Sequence, residues 1–220
     1  MKKVIVGIFA HPDDEAFGPS GTIAKLSQKN NFYLICATKG EQGQDATSKL
    51  GQSLSLKRAQ ELKASAKILG IKKVYFLGFK DGTLSNNLYH KLAEKMQKVL
   101  DQLKPETIIT VEPLGVSGHI DHITVSMVTN YLFERLPYVK TLMMSGQTRE
   151  RAKMMAGKYF IYFPPGYPRN QFQKIVDIED VYQLKQKAMF AHKSQIADAK
   201  RIIDSMEKLP KEEYFLVRKK

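Results

Sequence analysis

One cysteine, Cys36, is all the thiol chemistry this sequence carries, so no disulfide can form within the chain. It lies in the apolar segment FYLICAT and reads as a small core residue, which points to a reducing compartment and an expected cytoplasmic location. Also missing is any apolar run near the roughly 20 residues that a membrane-spanning helix needs. Near the start, VIVGIFA follows two lysines, but it is short, meets a cluster of acids and lacks a cleavage-type sequence. It reads as a buried first strand. That strand does not run into a glycine-rich GxGxxG turn, which argues against a Rossmann-like module gripping a nucleotide or S-adenosylmethionine. Repeats, low-complexity stretches and linkers are lacking as well, so residues 1–220 are expected to form one domain.

Negative charge is in deficit. Against 35 Lys and Arg there are 22 Asp and Glu, a formal net charge of +13. The lysines are scattered through almost every helical segment and form no basic stripe interleaved with aromatics, so no nucleic-acid partner is expected. An anionic small substrate fits the same charge.

What is present is an alternation of strand-like and helix-like segments. KVIVGIFA, NNFYLICAT, KKVYFLGF, ETIITVE and YVKTLMM read as strands. Between them lie helical segments from about Asp14 through TIAKLSQK, from about Ser53 to Leu69, LYHKLAEKMQKVLDQLK and HITVSMVTNYLFERL. The pattern predicts an α/β fold: a Rossmann-like three-layer sandwich, mostly parallel, with strand order 3-2-1-4-5. The core would span about 1–145 and a C-terminal extension about 146–220. In the extension, KYFIYFPPGYP reads as a strand ending in a proline-rich turn, and VYQLKQKAMFAHKSQIADAKRIIDSMEKL as one long helix or two.

Two clusters carry chemistry. His11-Pro12-Asp13-Asp14-Glu15 follows the first strand, and His119-Ile120-Asp121-His122 follows the fourth. In the expected order those strands are neighbours, and ligands bind in the crevice at their carboxyl ends. Imidazole and carboxylate without thiols suit a hydrolytic zinc site, in which three protein ligands leave a position open for water. Zinc lowers the pKa of such a water from about 9 toward 7, and a neighbouring carboxylate can take its proton.

The strings AHPDDE and GHIDH, in this order, resemble the LmbE/PIG-L family of zinc-dependent N-deacetylases, whose members act on N-acetylglucosaminyl conjugates, including those of mycothiol and bacillithiol biosynthesis. Thr38-Lys39-Gly40-Glu41, Arg58 with Glu61, Asp81-Gly82 and His192-Lys193-Ser194-Gln195 extend the resemblance over almost the whole chain. It implies His11, Asp14 and His122 as zinc ligands, Asp13 as general base, and His119 as partner of the oxyanion and proton donor to the leaving amine. Asp121 would orient His119. Arg58, Asp81, Glu15 and His192 would face the substrate, a small N-acetylated amino sugar, with amides of another kind (a thiol conjugate, for example) as the alternative. Another divalent ion could replace zinc. Family members vary in assembly, so a homo-oligomer stays open.

Overall fold

The computed structural model describes residues 2–46, 53–156 and 162–220. Strand β1 (Val4–Phe9) is apolar at successive positions because both its faces are covered: Ile5 and Phe9 enter one core cluster, Val6 and Ile8 the other. There follow α1 (Asp14–Phe17), α2 (Ser20–Lys29), β2 (Asn31–Cys36), α3 (Leu54–Ile68), β3 (Lys73–Phe76), α4 (Tyr89–Leu103) and β4 (Thr107–Val111). Next come the short turn α5 (Gly115–Gly118), α6 (Ile120–Arg135), β5 (Thr141–Gly146) and α7 (Arg149–Met155). The chain continues through β6 (Lys174–Asp177), α8 (Tyr182–Ala191), α9 (Ile196–Glu207) and β7 (Glu212–Lys219).

The strands form one sheet of order β3-β2-β1-β4-β5-β7-β6. β1 to β5 pair in parallel, whereas β7 runs antiparallel to both β5 and β6. Buried residues of α2, α3, α8 and α9 fill one face of the sheet, and those of α4 and α6 the other, giving three layers. Among the described residues, no helix is long and apolar enough to cross a membrane.

The core order 3-2-1-4-5 matches the expectation, and the C-terminal part adds to it. β7 and β6 extend the sheet, although EEYFLVRK has charged ends and no clean alternation to mark it as a strand. The single helix expected after β1 is two, because Pro19 drives Gly18 out of the helical region. The long C-terminal helix is also two, interrupted at His192 (ψ 68°) by a 3₁₀ turn over Lys193–Gln195. Of the strand expected in KYFIYFPPGYP, residues 158–161 lie outside the described residues. From 162 to 166 the backbone is irregular, and Tyr167 makes an isolated bridge to Thr148.

Candidate metal centre and active site

β1 and β4 are paired side by side, and the chain leaves them toward opposite edges of the sheet. The crevice between their carboxyl ends therefore receives the loop at His11–Glu15 and the start of α6. The His119 side chain accepts the Asp121 amide at 3.1 Å, closing the first turn of α6 and fixing where its ring and that of His122 stand. Rings of His11, His119 and His122 lie with centroids 4.6–5.0 Å apart.

Proton positions around these rings follow from their partners. His122 Nδ1 is 3.0 Å from the carbonyl oxygen of Gly115, an acceptor, so this nitrogen carries hydrogen and Nε2 bears the lone pair. His11 Nε2 is 2.9 Å from Asp81 Oδ1 and 3.2 Å from Asp121 Oδ2, so it too carries hydrogen, and Nδ1 is the lone-pair nitrogen. Those two nitrogens face each other at 3.0 Å. Asp14 closes the triangle, with Oδ1 3.2 Å from His122 Nε2 and Oδ2 3.8 Å from His11 Nδ1. Asp14 Oδ2 is itself held by the amides of His11 (2.8 Å) and Ala10 (3.1 Å). Three electron-rich atoms converging out of bulk water repel one another unless a cation lies among them. A proton can serve, and so can a divalent ion, for which the two-imidazole, one-carboxylate set is well suited. The carboxylates behind His11 and the carbonyl behind His122 are the outer partners that histidine ligands ordinarily have. His11, His119 and Asp121 also place ligand atoms within 4.8 Å of one another, but in that group Asp121 is already occupied by His11 Nε2 and the amides of Gly82 and Leu84.

The electrostatics follow from this packing. When no ion lies among the three donors, burial opposes charge on His11, but hydrogen bonds to Asp121 and Asp81 outweigh it and push the imidazole up to about 10. A proton then sits on Nδ1, where a metal would otherwise take the lone pair. Burial alone would raise the Asp14 carboxyl; His122 and His11 instead hold it well below the usual carboxylate range. Asp13 is pushed up to about 6 by burial, against the pull of Arg58. Burial together with His122 and His11 draws His119 down to about 4.

Asp13 sits at φ 122°, ψ −26°, a region that L-residues rarely adopt and that costs on the order of 1–3 kcal/mol. It is gripped at both ends. Arg58 Nη2 donates to its Oδ2 at 2.8 Å and to the Pro12 carbonyl at 2.7 Å, while its own amide donates to Glu15 Oε2 at 3.1 Å. Arg58 Nη1 also donates to the carbonyl of Gly40 at 2.7 Å.

The residues named from sequence thus gather around one crevice, and five of them have placements that differ from the expected roles. Asp121 bonds His11 through its carboxylate, which also accepts the amides of Gly82 and Leu84, while its main-chain amide donates to His119 Nδ1. Asp81 bonds His11 and the Gln42 amide. Arg58 is buried, with its Nη1 and Nη2 bonded to Asp13 and two carbonyls and its Nε without a partner. Glu15 and His192 are fully buried and bonded to each other, and Glu15 also accepts the Asp13 amide. Sequence reasoning missed Glu112. Its carboxylate accepts the amides of Leu114 (2.7 Å) and Val116 (2.5 Å) and the Tyr167 hydroxyl (2.8 Å), holding the loop in which Val116 adopts φ 61°. Its position at the carboxyl end of β4, beside the crevice, was the available signal.

Comparison with known proteins meets this geometry from another side. Residues 6–132 match the family described as PIG-L, GlcNAc-PI de-N-acetylase. A Bacillus subtilis protein named as a probable N-acetyl-α-D-glucosaminyl L-malate deacetylase is 30% identical over 203 residues, covering 89% of this chain and 84% of the relative. The diacetylchitobiose deacetylase of Thermococcus kodakarensis is 30% identical over 202 residues, 90% of this chain and 72% of that protein. Among solved structures, the N,N′-diacetylchitobiose deacetylase of Pyrococcus horikoshii superposes with a TM-score of 0.75 at 25% identity, over 99% of this chain and 84% of that one.

Proposed function

The chain belongs to the PIG-L family of de-N-acetylases, and on that footing we propose that it is a zinc-dependent hydrolase removing the acetyl group from a small N-acetylglucosamine-type conjugate. The observation that carries the metal assignment is the convergence of His11 Nδ1, His122 Nε2 and an Asp14 carboxylate oxygen, each nitrogen with its other ring position tied to an acceptor. These three residues would hold the ion, which when bound supplies Lewis acidity toward a water and the amide oxygen. Asp13 takes the proton of the attacking water; its raised pKa and its fixed carboxylate suit a general base. The water oxygen bonds to the acetamide carbon, the proton that Asp13 received passes to the nitrogen, and the C–N bond breaks to leave a free amine beside acetate. His119, with Nδ1 accepting the Asp121 amide, keeps its proton on Nε2 and presents that donor to the developing oxyanion.

The test is release of free amine from N-acetylglucosaminyl malate and from diacetylchitobiose, with bound metal measured in parallel. Asp13→Asn should keep the metal and lose about 10²–10⁴-fold in rate. His122→Ala should lose metal and rate together. Full metal in His122→Ala, or an active Asp13→Asn, would refute the assignment.

A further inference from the structure

We propose that the turn His192–Gln195 is a bracket for the catalytic loop, with His192 acting through Glu15 as a positioning residue for Asp13. The inference rests on the reading of Asp13 as general base. In its unfavourable conformation, the Asp13 amide donates to Glu15 Oε2 at 3.1 Å. The other oxygen of Glu15 accepts from Ser65 Oγ at 2.6 Å and from His192 Nε2 at 2.9 Å. Glu15, Ser65 and His192 are each 0% exposed, so no water competes for these bonds. Because Nε2 faces a carboxylate it carries the hydrogen, while the buried Nδ1 has no partner. His192 thus spends its hydrogen-bonding capacity on Glu15 alone.

The rest of the turn grips the elements that hold Asp13 from its other end. The Ser194 amide and hydroxyl donate to the two oxygens of Glu61 at 2.8 and 2.6 Å. Glu61 lies on α3, the helix that also carries Arg58 and Ser65. The Ser194 carbonyl accepts the Ala46 amide at 3.0 Å, and Gln195 Nε2 donates to the Gln44 carbonyl at 2.6 Å. That loop in turn sends the Gln42 amide to Asp81, the partner of His11. One C-terminal turn therefore fixes the amide of Asp13, the helix bearing its guanidinium partner, and the loop behind a metal ligand. A bracket of this kind affects how Asp13 is aimed and not whether substrate binds, which separates it from the substrate-facing role expected for His192 from sequence.

The experiment compares wild type, His192→Ala, His192→Gln, His192→Asn and, as a stability control on the opposite face of the sheet, Leu100→Ala. Amine release gives kcat and KM, bound metal is counted, and exchange of the Asp13 amide is followed in the metal-free proteins. In His192→Ala, kcat should fall about 10–100-fold with KM within about twofold and metal retained, and Asp13 exchange should accelerate. Glutamine, whose Nε2 donor reaches as far as the imidazole Nε2, should restore kcat and slow exchange, and asparagine should not. Leu100→Ala should lower the melting temperature and leave kcat alone. Wild-type kcat and exchange in His192→Ala would overturn the proposal, as would a rise in KM alone. Should the alanine variant fail to fold, the glutamine and asparagine variants decide: equal losses in both mean a packing role. If wild type binds metal but releases no amine, the reading of Asp13 falls, while the exchange rates still judge whether His192 holds its amide.

Discussion

Asp13 and Gly40 show how individual residues set this site. Gly40 adopts φ 66°, and a Cβ there would collide with the guanidinium carbon of Arg58. Arg58 can reach both the Gly40 carbonyl and the Asp13 carboxylate only because that side chain is missing. Gly40→Ala should therefore displace Arg58, slow amine release about 10–100-fold and cost about 1–2 kcal/mol in stability, with bound metal unchanged. A wild-type rate in the Gly40→Ala enzyme would show that the guanidinium contact is dispensable. Most of this level could be read from the sequence, because HPDDE, GHIDH and the Thr38–Glu41 string are local. What could not be read was direction. Asp121 lies two residues from His119 in sequence, yet its carboxylate turns toward the Gly82 and Leu84 amides and His11. A carboxylate follows the donors offered in space, and two amides on another loop are invisible to spacing along one helix.

Among elements, the break between α1 and α2 is where the C-terminal part acts on the active-site face. Proline at position 19 leaves α2 with no side-chain cap of its own. Glu213 of β7 supplies one, accepting the amides of Gly21 (2.9 Å) and Thr22 (2.7 Å), an anion placed at a helix N-terminus. Lys185 of α8, fully buried, pairs with Glu213 at 2.8 Å and donates to the carbonyl of Gly18 at 2.5 Å. Burial lowers the Lys185 pKa, and Glu213 supports its charge. Removing one partner strands the other without water. Lys185→Met should cost about 3–5 kcal/mol by chemical denaturation, and adding Glu213→Gln should recover a large part of it. A single variant within about 1 kcal/mol of wild type would contradict this account. Neither Lys185 nor Glu213 stood out in the sequence, where each is one charge among many on an amphipathic or strand-edge segment.

At the scale of the whole molecule, the alternation of strands and helices to about residue 145 specified the parallel core because its strands are mainly apolar runs set between longer helical segments. The C-terminal strands escaped notice because β6 spans only Lys174–Asp177 and β7 pairs where its flanks are charged. Those strands join the extension to the core through one continuous sheet: β7 pairs with β5 over six residues, and Phe215 is fully buried. The chain should accordingly unfold as one cooperative unit, with coincident far-ultraviolet and tyrosine-fluorescence transitions. Two separated transitions would make the extension an independent domain. The central claim, a metal-dependent deacetylase centred on His11, Asp14 and His122, is tested most directly by one measurement. Amine release from an N-acetylglucosaminyl conjugate is followed before chelation, after chelation and after zinc is returned. The account predicts release that disappears on stripping and returns with about one zinc per chain. Release that survives full removal of metal, or that is absent in zinc-loaded protein across such conjugates, would contradict it.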